Sequence, residues 1–231
     1  MISFEQFQGL LQQCKLLLPT PWAQAHARFL EEDIIEKTCM HLVLLQQGKL
    51  TPLLLHPQFK EEVIPARKRI FSELLSLVHS IQPHAQLDAI AQEWNAYFTS
   101  TSFENILVLL GMRFTPASLK TVAALPPPTA QLLHQAFLPF NAQISCATRA
   151  WEKHVGRSDD DFWGKVQGSP AQKEAFAKAK VLAVLQHATW WNTFVHYKHG
   201  VVYEFRVPSG HGVRWKKEGI TFLGFLEPFL D

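Results

Sequence analysis

Near residue 188 the spacing of apolar side chains changes, and no other feature of this 231-residue chain limits its fold as much. Before that point apolar residues recur every three to four positions, the period of a helix face. After it they alternate, the period of a strand. A segment patterned for one period cannot bury the same side chains in the other. The chain is therefore expected to be α+β, with an N-terminal all-helical bundle followed by a small helix-plus-antiparallel-sheet domain.

The helical part can be divided from its punctuation. PWAQAHARFLEEDIIEKTCMHLVLLQQGK predicts a helix from Pro21 to Gly48, with Phe29, Ile34, Ile35, Cys39, Leu42 and Leu45 on one apolar stripe. ARKRIFSELLSLVHSI repeats the pattern and stops before Pro83, and LDAIAQEWNAYF and SFENILVLLGM predict shorter helices. Pro126-Pro127-Pro128 is a stiff break, and TAQLLHQAFLPF follows it as a further helix. A linker near 139–144 divides a helical bundle at 1–141 from an α+β module at 142–231. In the module, CATRAWEKHVG predicts a short helix. SPAQKEAFAKAKVLAVLQH predicts a strong one, capped by Ser169 with Pro170 in its first turn.

Four β-branched or aromatic runs close the chain. In VVYEFRVPSGHGVRW, residues 201–215, a loop at Pro208-Ser209-Gly210 sets Val207 opposite His211. Phe205 then meets Val213, Tyr203 meets Trp215 and Glu204 meets Arg214. The odd-numbered face is apolar. The even-numbered face carries Val202, Glu204, Arg206, Arg214 and Lys216, and is expected to face solvent. Two guanidinium forks beside a carboxylate, near Gly210 and Gly212, suit a phosphate-binding floor.

Composition excludes more than it proposes. Apolar residues make up 47% and charged residues 18%, enough for a packed core, and the net charge of +2 does not by itself announce nucleic acid. Cys14, Cys39 and Cys146 form no metal spacing and read as reduced thiols. No stretch is long and apolar enough for a membrane span, and the N-terminus lacks the pattern of a secretory signal. The chain is expected to be cytoplasmic as synthesised, and to leave the cell, if it does, by a route that needs no standard signal peptide. His154 ends a helix between Lys153 and Arg157, where an imidazole can serve as general acid or base. His196–His199 has zinc-like spacing only in a helix, and no metal or cofactor site is read there. Asp159, Asp160 and Asp161 bunch ahead of Phe162 as a solvated helix entry or a divalent-metal site. Ser209 and His211 lack a nucleophile elbow.

Three stretches in order, ATRAWEKHVGR (147–157), GSPAQKEAFAKAKVLAVL (168–185) and YEFRVPSGHGVRWKKEGITFLGFLEP (203–228), resemble the C-terminal toxin modules of bacterial polymorphic toxins, including RHS-repeat and contact-dependent inhibition proteins. The resemblance implies a module similar in plan to the barnase, EndoU, colicin and RelE ribonucleases. It implies metal-independent RNA cleavage through the 2′-OH, without a cofactor. His154 would be base or acid and Glu204 the second proton-transfer group. Arg206 and Arg214 would stabilise the phosphate, and Arg157, Lys153, Ser209, His211 and Lys216 would bind substrate. RNA and an immunity protein are the implied partners. Residues 1–141 would serve as adaptor, delivery segment or neutralising lid. Two other readings stand beside this one: a non-enzymatic protein-interaction module, and a metal-dependent DNase using Asp159–Asp161.

Overall fold

Ser3 starts the first helix by a reciprocal cap. Its hydroxyl accepts from the Gln6 amide, and the Gln6 side chain accepts from the Ser3 amide. The structure, a computed structural model, describes residues 2–49, 61–63, 67–80, 87–158 and 161–229. It divides into two units, Met1–Pro57 with Glu62–Phe114 and Leu119–Leu125, and Gln58–Glu61 with Thr115–Ser118 and Pro126–Asp231.

The first unit is helical among its described residues: α1 Phe4–Leu17, α2 Thr20–Ala25, α3 Glu32–Gln46, α4 Arg67–Ser80, α5 Leu87–Ser100 and α6 Phe103–Leu109. Phe7, Trp94, Phe98 and Phe29 form an aromatic core, edge-on at Phe7–Trp94 and Phe29–Phe98 and tilted at Trp94–Phe98. The expected stripe of Phe29, Ile34, Ile35, Cys39, Leu42 and Leu45 is buried throughout. The single helix expected from Pro21 to Gly48 is not formed. It breaks at Ala27–Leu30 into a 3₁₀ turn, and the chain is extended at Glu31. Arg28 turns outward there to pair with Glu31 and Asp33, while Phe29 keeps its place in the core. The stripe therefore survives a kink that it did not announce. Burial pushes the Cys14 and Cys39 thiols up to about 12, leaving them inert.

The second unit holds α7 Thr129–Ala136, α8 Cys146–Val155, α9 Pro170–His187 and a four-stranded antiparallel sheet in the order β1-β2-β3-β4. The strands are Trp190–His196, Gly200–Arg206, Gly212–Lys216 and Thr221–Leu226. Residues 139–145 make a closed turn, with Pro139 bridged to Ser145 and the Cys146 amide donating to the Leu138 carbonyl. Thr115–Ser118 runs along the free edge of β1, where Ser118 pairs with Phe194 and the Val195 amide donates to Ala117. That short segment covers what would be an open sheet edge. Ser169 caps α9 as expected, in a reciprocal box with Gln172.

The β2–β3 register is the expected one: Tyr203 opposite Trp215, Glu204 opposite Arg214 and Phe205 opposite Val213. The odd face packs as core, with Trp215 fully buried and its indole N–H donating to the Leu132 carbonyl of α7. The even face differs from expectation. Trp190, Asn192, Val202, Glu204 and Arg206 are all buried, so this face is closed along β1 and β2, while Arg214 and Lys216 on β3 stay partly exposed. The charge pattern permits it. One carboxylate between two guanidiniums satisfies the strong donors that burial would otherwise penalise.

Candidate active site

Two strands and a tail converge around Arg206. Its Nε donates to Glu204 Oε1 at 2.5 Å, and the other Glu204 oxygen accepts from Arg214 Nε at 2.6 Å. Arg206 Nη1 donates to the Gly210 carbonyl, and to the Glu227 carbonyl at 2.8 Å. Its guanidinium lies 3.8 Å over the Phe229 ring. Arg206 therefore ties the β2–β3 loop to the segment that follows β4. Arg214 is less enclosed; burial, reinforced by the Arg214 charge, holds His196 below its ordinary pKa.

Holding the Glu227 backbone in this way fixes its carboxylate on the other side of the loop. There Glu227 Oε1 lies 2.7 Å from His154 Nε2, and Oε2 lies 3.4 Å from His211 Nε2. Two imidazoles thus share one carboxylate. His154 reaches it from the last turn of α8, and His211 from the end of the β2–β3 loop, just before β3. Trp163, fully buried, stands edge-on to both rings, at 5.5 Å and 5.7 Å between centroids. Phe162 stacks flat on His211 at 3.9 Å. On the remaining nitrogen, His211 Nδ1 lies 2.9 Å from the exposed Ser209 hydroxyl.

Beside Ser209 and Phe162 opens a cavity of about 490 Å³. Val184, Val207 and Pro208 supply apolar wall, and Lys180 supplies a cation. The Lys180 ammonium donates to the Phe162 carbonyl at 2.5 Å and sits 5.0 Å from that ring's centroid. These contacts hold the 3₁₀ turn Asp161–Trp163 against α9.

The residues singled out in the sequence fall into three places. His154, His211 and Ser209 come together around Glu227, and Lys153 and Arg157 are exposed on either side of His154. Glu204, Arg206 and Arg214 form the closed network behind the loop. Lys216 lies at the opposite end of β3 from Gly212, roughly 13 Å along the strand, and pairs with Glu218. Of the acidic run, Asp159 and Asp160 lie outside the described residues. Among the described residues no group of three or more His, Cys, Asp or Glu is placed to hold a metal ion. Glu227, Trp163 and Phe162 were not singled out. The signal for Glu227 was a lone acid between an apolar strand and Pro228, in a motif read only for its resemblance.

Residues 133–227 match the family model of the CdiA C-terminal tRNase toxin domain. The match spans the site and bears out the resemblance to polymorphic and contact-dependent inhibition toxin modules. It supports a toxin effector with ribonuclease activity. No curated protein and no solved structure matches the chain. No helix among the described residues is long and apolar enough to cross a membrane.

Proposed function

We propose that the C-terminal unit is the ribonuclease of a toxin effector, cleaving RNA by attack of a ribose 2′-OH on the adjacent phosphate. His211 and His154 form its proton-transfer pair. The observation that carries this reading is the pair of imidazoles bound to one carboxylate beside a cavity. Such chemistry needs a base for the 2′-OH, an acid for the departing 5′-oxygen, and cations for the charge that builds on phosphorus. A hydroxyl already sits at hydrogen-bond distance from His211 Nδ1, so the 2′-OH can take the same position and pass its proton there. His154, on the same carboxylate, gives a proton to the leaving oxygen. Glu227 orients both rings, as the third member of a triad does. Lys153 and Arg157 offer exposed charge to the phosphate. Glu204, Arg206 and Arg214 act as positioning residues by holding the β2–β3 loop and the Glu227 backbone. Products are a 2′,3′-cyclic phosphate and a free 5′-hydroxyl, and no metal takes part.

The matched family's description names tRNA, which is the substrate class proposed here, with an immunity protein as the partner that blocks the site. Delivery into a target cell, and action in its cytoplasm, belong to the same reading.

The test is cleavage of tRNA by the purified full-length protein in EDTA, with end-group analysis. His154→Ala and His211→Ala should each lower kcat by about 10²–10⁴. Glu227→Gln keeps the shape but has only one oxygen for two imidazoles, and should cost about 10–100-fold, as lost orienting partners of working histidines do. Cleavage that EDTA abolishes would replace this mechanism with a metal-dependent one. Absence of cleavage by the unsubstituted protein would leave an interaction module.

A further inference from the structure

We infer that the cavity between α9 and the β2–β3 loop is a nucleobase pocket, which seats a base of the RNA next to the cleaved phosphate and gives the enzyme its sequence preference. The inference rests on the ribonuclease reading, because the RNA comes from there, but the pocket is a separate set of residues. Three observations support it.

The first is a shared wall. Phe162 and Ser209 both line the cavity, and both touch His211, one by stacking on the ring and one by hydrogen bonding to Nδ1. A ligand in the cavity is therefore one side chain away from the proposed base. The second is size and character. A cavity of about 490 Å³ falls in the range of small-molecule sites. Its apolar walls of Ala183, Val184, Val207 and Pro208 suit the flat apolar face of a base. The third is the basic side chains beside those apolar walls, Lys180 and His187. A nucleotide is the ligand that joins a flat apolar ring to an anion. A lipid chain would use the wall without the basic groups, and a free phosphate would use the basic groups without the wall.

The pocket also accounts for residues that proton transfer leaves without a part. Lys180 is held over the Phe162 and Phe176 rings at 5.0 Å and 5.5 Å while donating to the Phe162 carbonyl. That geometry fixes the aromatic wall before a base arrives, which lowers the ordering cost of binding.

Ala183 lies on α9, partly exposed, and lines the cavity without touching the imidazole pair. Ala183→Trp should fill the pocket, and Ala183→Leu should fill it in part. The full-length protein would be titrated by NMR with the four nucleoside 5′-monophosphates, with ribose 5-phosphate and inorganic phosphate as comparison probes. At least one nucleotide should bind more tightly than ribose 5-phosphate, and Ala183→Trp should weaken it roughly tenfold to a hundredfold, the range for loss of one stacked base. In cleavage assays the same variant should raise KM by a similar factor with kcat little changed, and blur the cleavage position. Ala183→Leu should fall between, with the unfolding temperature of both variants close to the parent's. Nucleotide binding no tighter than that of ribose 5-phosphate, or unchanged in a folded Ala183→Trp, overturns the pocket. The catalytic reading fails differently: His154→Ala and His211→Ala would go on cleaving while nucleotide binding persists.

Discussion

Glu204 has no exposed surface and meets two guanidiniums, one on its own strand and one across the β2–β3 ladder. Removing the carboxylate would leave both cations facing each other in a closed space. Glu204→Ala should therefore cost about 3–5 kcal/mol, the range for breaking a buried pair, read as a lower urea midpoint. The triple variant Glu204→Ala, Arg206→Met, Arg214→Leu removes charge from both sides and should lose much less. A second residue-scale effect sits in the first unit. His41 Nδ1 donates to the Leu109 carbonyl at 2.7 Å, and burial, reinforced by the Lys37 charge, pushes its imidazole down to about 4. In the unfolded chain the same ring takes a proton near pH ~6.5. Between those values the unfolded chain holds a proton that the folded chain refuses. The contribution of His41 is thus fully present above about pH 6.5 and is lost as pH falls towards 4. The unfolding temperature should drop over that window, and His41→Gln should flatten the drop.

At the scale of elements, the β2–β3 hairpin is where fold and site meet. Its strands set Arg206 opposite Gly212, and its loop carries Ser209 and His211. A Cβ on Gly212 would lie 2.4 Å from the Phe205 carbonyl oxygen and 2.7 Å from Arg206 Cγ. The first of these is backbone and cannot swing away, so the two strands would have to part. Gly212→Ala should cost about 1–3 kcal/mol, as overpacking does. It should also lower cleavage more than its stability loss explains, because Arg206 then no longer holds the Glu227 backbone. Denaturant titration beside kcat at a temperature where the variant is folded would check both.

For the whole molecule, the second unit draws on chain that lies before its sheet. Leu132 of α7 accepts from the buried Trp215 indole. Thr115–Ser118 covers the β1 edge, and Asn192 bonds to Ser118 Oγ and Thr115 Oγ1. A fragment of residues 142–231 loses all of these partners. Each buried polar group so stranded costs about 1–3 kcal/mol. Residues 115–231 should give a cooperative thermal transition and a near-UV signal from the tryptophans. Residues 142–231 should melt lower or lack that signal, and equal melting of the two would count against this account.

Side-chain alternation let the sequence alone determine the sheet, its place after residue 188 and the pairing of Glu204 with Arg214. A register slip would have turned Trp215 and Tyr203 to the wrong face, so hydrophobic pattern and turn residues had one joint solution. The stripe of α3 was legible for the same reason. The kink at Ala27–Leu30 was not, because Phe29 stays on the stripe in either conformation. Tertiary structure decided the rest. The even face reads as solvated from its charges, and only the closed Glu204 network explains how Glu204 and Arg206 are buried there. His154 and Glu227 lie 73 residues apart, and no local period links them. They meet because α8 and the end of the sheet pack on Trp163 while Arg206 pins the Glu227 backbone. Periodicity reports which side of an element is buried, but the meeting of side chains from different elements is settled only when those elements pack.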